Sequence, residues 1–152
     1  MVTTEQIKEL RNKTGISIAQ CKKSLEESGG DMAKALEDLK AKGADIAGKK
    51  SGRDLRAGAV GSYIHSDGSM GAIVVLSSET DFVSKNPEFK AAADDLAMHI
   101  AAMCPVDVAE LMAQPFVKDV SQTIDVIING LVQKFGERIE VLRFSRLDTS
   151  VN

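Results

Sequence analysis

Cys21, Cys104, His65 and His99 are the only thiols and imidazoles in this 152-residue sequence, so any nucleophile–base pair would have to be drawn from them. Nothing local activates either thiol. Cys21 falls on the apolar face of a helical stretch, where a free cysteine ordinarily behaves as a small hydrophobe. Neither cysteine stands at CxxC or Cys/His ligand spacing, so neither a zinc site nor a disulfide scaffold is expected. Asp94 and Asp95 are adjacent and diverge on a helix, a poor geometry for a shared metal. No phosphate-binding GxxxxGK[ST], no GxGxxG after a strand, no GxSxG and no HExxH is present. The expectation is a protein without catalytic residues, metal or cofactor, which acts by binding. His99, between Leu96 and Ile100, reads as a hydrogen-bonded structural histidine. His65 closes a strand just before Ser66–Ser69, at a loop tip where binding residues concentrate.

The run from Ser78 to Lys85 is more informative than any of these. The apolar stretch Met70 to Leu76 delivers the polar-aromatic tip Thr80-Asp81-Phe82-Val83, and Asn86-Pro87 then opens a new helix. A Phe beside an acid and between two regular elements is poorly placed to fill its own core. It is well placed to enter the surface of a partner.

The elements that position this tip fall into two groups. Thr3-x-x-Gln6 and Ser17-x-x-Gln20 fit the capping box, and Asp31 follows Gly29-Gly30 as a helix stop and new N-cap would require. Ile7 and Leu10, then Ile18, Cys21 and Leu25, then Met32, Ala35, Leu36 and Leu39, recur at helical period. They predict a three-helix module over residues 1–44, of a size at which independent stability is marginal. Residues 45–56, where glycines alternate with Lys49, Lys50, Arg53 and Arg56, read as a solvated basic linker, or as a patch for an acidic partner.

Residues 57–152 predict an α+β core. Ala57–His65 and Met70–Ser78 flank the turn Ser66-Asp67-Gly68-Ser69 and form a hairpin. Asn86-Pro87-Glu88 supplies N-cap, N1 proline and an acid for a helix to about Cys104, with Phe89, Leu96, Ile100 and Met103 inward. A short helix near Asp107–Ala113 follows, then the extended segment Gln114–Val117. Ser121 or Thr123 caps a helix carrying Ile124, Ile127, Ile128 and Leu131 to Gly136, and Arg138–Arg146 makes a third strand. The sum is a small antiparallel sheet covered by helices on one face. The other face, expected to expose Ala72, Val74 and Leu76, would be buried by a second copy or a partner, so a homodimer is expected.

Bulk properties narrow the setting. Charged residues make up 27% and hydrophobic ones 43%, a globular balance. A net charge of −3 argues against direct nucleic-acid binding. The N-terminus shows no basic stretch ahead of an apolar one, and the longest apolar run, Ala72–Leu76, is far too short to span a bilayer. A cytoplasmic protein with no membrane attachment is expected.

Several of these stretches together resemble bacterial translation elongation factor Ts. Leu10-Arg11-x-x-Thr14-Gly15 followed by Cys21-Lys22-Lys23-x-Leu25 is similar to that family's N-terminal signature, continued by Gly30-Asp31 and Ala35-Leu36-Glu37. Gly61-Ser62-Tyr63-Ile64-His65, Glu79-Thr80-Asp81-Phe82-Val83, Met98-His99-Ile100-Ala101-Ala102 with Pro105, and Gln114-Pro115-Phe116 with Lys118-Asp119 resemble its core. The resemblance implies a guanine nucleotide exchange factor for the GTPase elongation factor Tu. It implies a ubiquitin-associated-like (UBA-like) helical module, with Arg11, Ile18 and Lys22 at family contact positions, and a core of the family's dimerisation type. Thr80, Asp81, Phe82 and Val83 match the segment that displaces magnesium from the GTPase, and His65 the histidine presented by the hairpin tip. Longer members carry the Thr-Asp-Phe-Val segment and the Gly-Ser-Tyr-x-His hairpin in two separate copies of the core, whereas here one copy carries both. The long coiled-coil insertion has no counterpart, and Ile18-Ala19 stands where many members have methionines. The rival readings are a UBA-type adaptor, an RNA-binding accessory factor using Lys49–Arg56, and a small enzyme.

Overall fold

Helix starts in this chain are built by short polar side chains that accept the free N–H groups of a first turn. In the structure, a computed structural model that describes residues 1–151, Thr3 caps α1 (Thr4–Thr14): its hydroxyl accepts from Gln6 N while the Gln6 side chain accepts from Thr3 N. Gly15, at φ 69°, ends the helix in the left-handed conformation that glycine adopts most easily. Ser17 accepts from Gln20 N at the start of α2 (Ile18–Glu27), so only the serine half of the expected second capping box is formed. Asp31 accepts from Ala33 N and Lys34 N to open α3 (Met32–Lys50). Leu10, Ile16, Cys21, Leu25, Ala35 and Leu39 form one buried cluster among these three helices. Ile18, expected in that apolar stripe, is 56% exposed.

The expected linker is corrected over its first half, because α3 continues without a break to Lys50. Ile46 and Ala47 pack on the second core, and Asp45 pairs with Lys49 one turn on. The glycine content of this stretch suggested a loop, but Gly43 is buried where α3 crosses a later helix. A Cβ there would stand 3.4 Å from the Asn129 carbonyl oxygen and 3.1 Å from Gln133 Oε1. Tertiary packing outweighs the weak helix propensity of glycine here.

After α3 come β1 (Ala57–Ile64), β2 (Met70–Ser78), α4 (Asp81–Ser84), α5 (Pro87–Met103), α6 (Val108–Ala113), β3 (Pro115–Phe116), β4 (Asp119–Thr123), α7 (Ile124–Phe135) and β5 (Glu140–Asp148). The main sheet has the order β1-β2-β5 with antiparallel pairing throughout. Gly68, at φ 72°, turns the hairpin, with its N–H donating to the His65 carbonyl at 2.8 Å. The strand β4, which pairs with β3, was not anticipated; Thr123 at its end caps α7.

Helices cover one face of the sheet, as expected, but with the opposite side chains. Ala72, Val74 and Leu76 are buried beneath the helices with Phe89, Leu96 and Ile100. The open face instead carries Val60, Ile64, Ile73 and Leu147, each more than half exposed. Strand β2 is apolar on both faces, so its alternation could not choose between them. Met103, also expected inward, is 44% exposed.

Gly61 explains how closely α5 lies on β1. A Cβ at this position would come within 2.2 Å of the Ala93 backbone. The approach lets Asp94 accept from Ser62 N at 3.0 Å and Lys90 donate to the Val60 carbonyl at 3.1 Å. Helix side chains thereby occupy backbone groups on the edge of the sheet that would otherwise invite another strand.

Candidate partner-binding surface

The tip after β2 is a single helical turn rather than a loop. Thr80 caps α4, its hydroxyl accepting from Val83 N at 3.4 Å. Four residues cannot hold a helix by themselves, because nucleation outweighs so few hydrogen bonds. Two supports compensate. Val83 and Ser84 are buried, so one side of the turn is anchored in the core. Glu137, in the loop between α7 and β5, holds the other end: its Oε1 accepts from Glu79 N at 3.1 Å and Thr80 N at 3.0 Å, and its Oε2 from the Thr80 hydroxyl at 2.6 Å. Glu79 returns the contact, accepting from Arg138 N at 2.6 Å and, more loosely, from the Arg53 guanidinium at 3.5 Å.

On this turn Phe82 is 90% exposed. Thr80 and Asp81 are exposed beside it. Of the four tip residues, Val83 departs from the expected surface role: at 5% exposure it is an anchor. The buried Val83 and Ser84 fix the backbone beneath Phe82, so less freedom remains to be lost when the ring enters a partner.

His65 lies at the other end of the hairpin. Its Nδ1 is 2.9 Å from the Tyr63 hydroxyl, and its Nε2 is 3.9 Å from Asp67. Phe82 follows the last residue of β2 and His65 precedes its first, so the length of the strand, roughly 25 Å, separates them. One chain therefore does not bring these two residues together. On the helical module, Ile18 and Lys22 share one face of α2 at i,i+4 spacing, and Arg11 projects from the last turn of α1. All three are exposed, and Lys22 makes only a loose pair with Glu26 at 3.8 Å.

Two of the four groups that could carry covalent chemistry, Cys21 and His99, are buried in the core, whereas Cys104 is an exposed free thiol. Burial pushes the Cys21 thiol up from its ordinary value, with Thr14 beside it opposing the shift. His99 is fully buried, with Nδ1 accepting from Val117 N at 3.1 Å and Nε2 at 2.9 Å from Gln114 Oε1. Burial lowers its pKa. Sequence reasoning missed Glu137 and Glu79. Glu137 follows the helix-stopping Gly136, but nothing local ties it to Thr80, 57 positions away.

Comparison with known proteins gives a consistent result. The family described as Elongation factor TS matches residues 79–152. The chain is 41% identical to Elongation factor Ts of Trichlorobacter lovleyi, with 94% of this chain and 46% of that protein covered. It is 34% identical to Elongation factor Ts of Acetivibrio thermocellus, covering 97% of this chain and 90% of the relative. Identity to the Desulforamulus reducens protein of the same name is 35%, over 97% and 88%. The chain thus spans about half the length of some relatives and most of the length of others.

Proposed function

This chain belongs to the elongation factor Ts family, and on that premise we propose that it is a guanine nucleotide exchange factor for elongation factor Tu. The helical module, read as UBA-like and taken over residues 1–44, docks on the GTPase through Arg11, Ile18 and Lys22. The α+β core, residues 57–152, presents Phe82 with Thr80 and Asp81 so that the ring enters the GTPase and dislodges Mg²⁺, while Val83 holds the turn in place. Residues 45–56 join the two units and are helical to Lys50. GDP then leaves and GTP takes its place. The observation that carries this reading is the exposure of Phe82 at 90% on a turn anchored by the buried Val83 and Ser84.

The physics is linkage. A GTPase holds GDP through backbone N–H groups and Mg²⁺, which offsets the phosphate charge. A protein that binds the metal-free, loosened conformation more tightly must weaken nucleotide by the same factor. Accelerating release ~10⁴-fold calls for about 5.5 kcal/mol of differential binding. Burying one Phe supplies only about 2–3 kcal/mol. The module and the rest of the core surface therefore have to contribute the remainder.

The working unit is proposed to be a homodimer. Val60, Ile64, Ile73 and Leu147 leave an apolar sheet face open, and a second copy of the same face would cover it. The separation of Phe82 from His65 supports a composite site, with the two residues contributed to one GTPase by different protomers. No helix of the described residues is long and apolar enough to cross a membrane.

The test is GDP release from purified elongation factor Tu with substoichiometric amounts of this protein. Acceleration with multiple turnovers is expected. Release at the unassisted rate would remove the exchange reading.

A further inference from the structure

We infer that Glu137 is a positioning residue for exchange, acting through Thr80 to fix the turn that presents Phe82. The inference rests on the exchange reading for its activity readout, but its structural half does not. A threonine hydroxyl has one proton and two lone pairs. Here Glu137 Oε2 takes the proton at 2.6 Å, which turns a lone pair toward Val83 N at 3.4 Å. The carboxylate thus sets the rotor of the very group that caps α4. Its other oxygen binds the two N–H groups of Glu79 and Thr80, the last backbone donors before the turn.

The contact is reciprocal. Glu79 accepts from Arg138 N, so each of two chain segments clamps the other's backbone with a carboxylate. Gly136, at φ 71°, turns the chain out of α7 and lets Glu137 reach this position. Glu137 itself has no role in the apolar core, and all three of its hydrogen bonds go to the turn and its approach. Phe82 makes no such bond, and its ring is held only by the backbone beneath it. Loss of Glu137 leaves Val83 as the anchor and frees the N-terminal end, so the ring samples directions other than the productive one.

The experiment is a double-mutant cycle on GDP release from elongation factor Tu, using the full chain as wild type, Glu137→Ala, Phe82→Ala and the double variant. Hydrogen exchange of the Val83 amide in the free protein is followed alongside. Glu137→Ala is expected to lower the maximal release rate about tenfold with Phe82 present and less than about twofold with Phe82→Ala, because the two changes remove the same interaction. The half-saturating concentration should move less than about twofold, since docking is assigned to the module. Glu137→Gln keeps an oxygen for the two backbone donors but cannot take the Thr80 proton, so it should fall between wild type and Glu137→Ala; it carries the cycle if Glu137→Ala does not fold. The Val83 amide should exchange about tenfold faster in Glu137→Ala, while Ile100 and Ile128 keep their protection. Equal losses in both Phe82 backgrounds would overturn the inference, as would an unchanged Val83 amide. If wild type itself leaves GDP release unaltered, the exchange reading fails and the Val83 amide alone decides the clamp: faster exchange in an intact core supports it, unchanged exchange overturns it.

Discussion

His99 commits both ring nitrogens inside the core, and its titration has a definite consequence for stability. Burial lowers its pKa below the ordinary 6.5. Below about pH 6.5 the unfolded chain therefore takes up a proton that the folded chain refuses. Stability should fall as pH falls through 6.5 and stop falling once pH has passed the lowered folded value. Thermal melting between pH 7.5 and 5 checks this: His99→Asn should be less stable at pH 7 but show a shallower slope with pH. A slope identical to wild type would place the titration elsewhere. At the same scale Phe82 and Val83, adjacent in sequence, do opposite things. The sequence made Phe82 legible as an exposed aromatic, since it sits beside an acid between two elements. It gave no sign that Val83 is an anchor, because inward and outward residues of a single turn have no period to read. Glu137 was equally hidden, its partners being brought to it only by the fold.

Among the elements, caps and turns were the most readable. Thr3, Asp31, Asn86, Gly68 and Gly136 act through bonds or torsions a few residues away, so local spacing specifies them, and of the two candidate caps Ser121 and Thr123 it is Thr123 that opens α7. What failed was decided by packing: the face chosen by β2, the continuation of α3 to Lys50, and the seating of Gly43 on α7. Gly61 links the two kinds of information, since its place in the hairpin was visible but its reason is the backbone of α5. Gly61→Ala should cost about 3 kcal/mol, the upper end for overpacking, because its Cβ would strike backbone rather than a flexible side chain. That corresponds to a melting temperature roughly 10 °C lower, readable by circular dichroism; an unchanged midpoint would mean that α5 shifts freely on the sheet. The exposed residues proposed for docking on α1 and α2 call for the opposite outcome. Replacing Arg11, Ile18 and Lys22 together by alanine should leave melting nearly unchanged and raise the half-saturating concentration for exchange at least about tenfold, with the maximal rate retained. A fall in the maximal rate alone would assign the module to metal displacement instead of docking.

For the whole molecule, two buried clusters are joined by one continuous helix, with α3 belonging to the first and its Ile46–Ala47 turn packed on the second. Lys134 of α7 adds a tie, pairing with Glu88 of α5 while lying alongside Gly15. The proposed docking face and the Phe82 turn are thereby held on one framework, as the proposed division between docking and displacement requires. The proposed dimer gives a further test at this scale. Phe82→Ala and His65→Ala, each weak alone, should complement when mixed and allowed to exchange subunits. About half the dimers would then be heterodimers with one intact site, so recovery should approach roughly a quarter of wild-type sites. No recovery after confirmed subunit exchange, or a monomer at micromolar concentration, would contradict the shared site. The central claim, that an exposed aromatic held by its neighbours drives exchange without supporting the fold, is tested most directly by the maximal rate of GDP release from elongation factor Tu with wild type and Phe82→Ala at saturating concentration. The account predicts at least about a tenfold lower rate for Phe82→Ala with an unaltered melting temperature, because removing a side chain from solvent opens no cavity. A retained rate with a clear loss of thermal stability would contradict it and return Phe82 to a structural role.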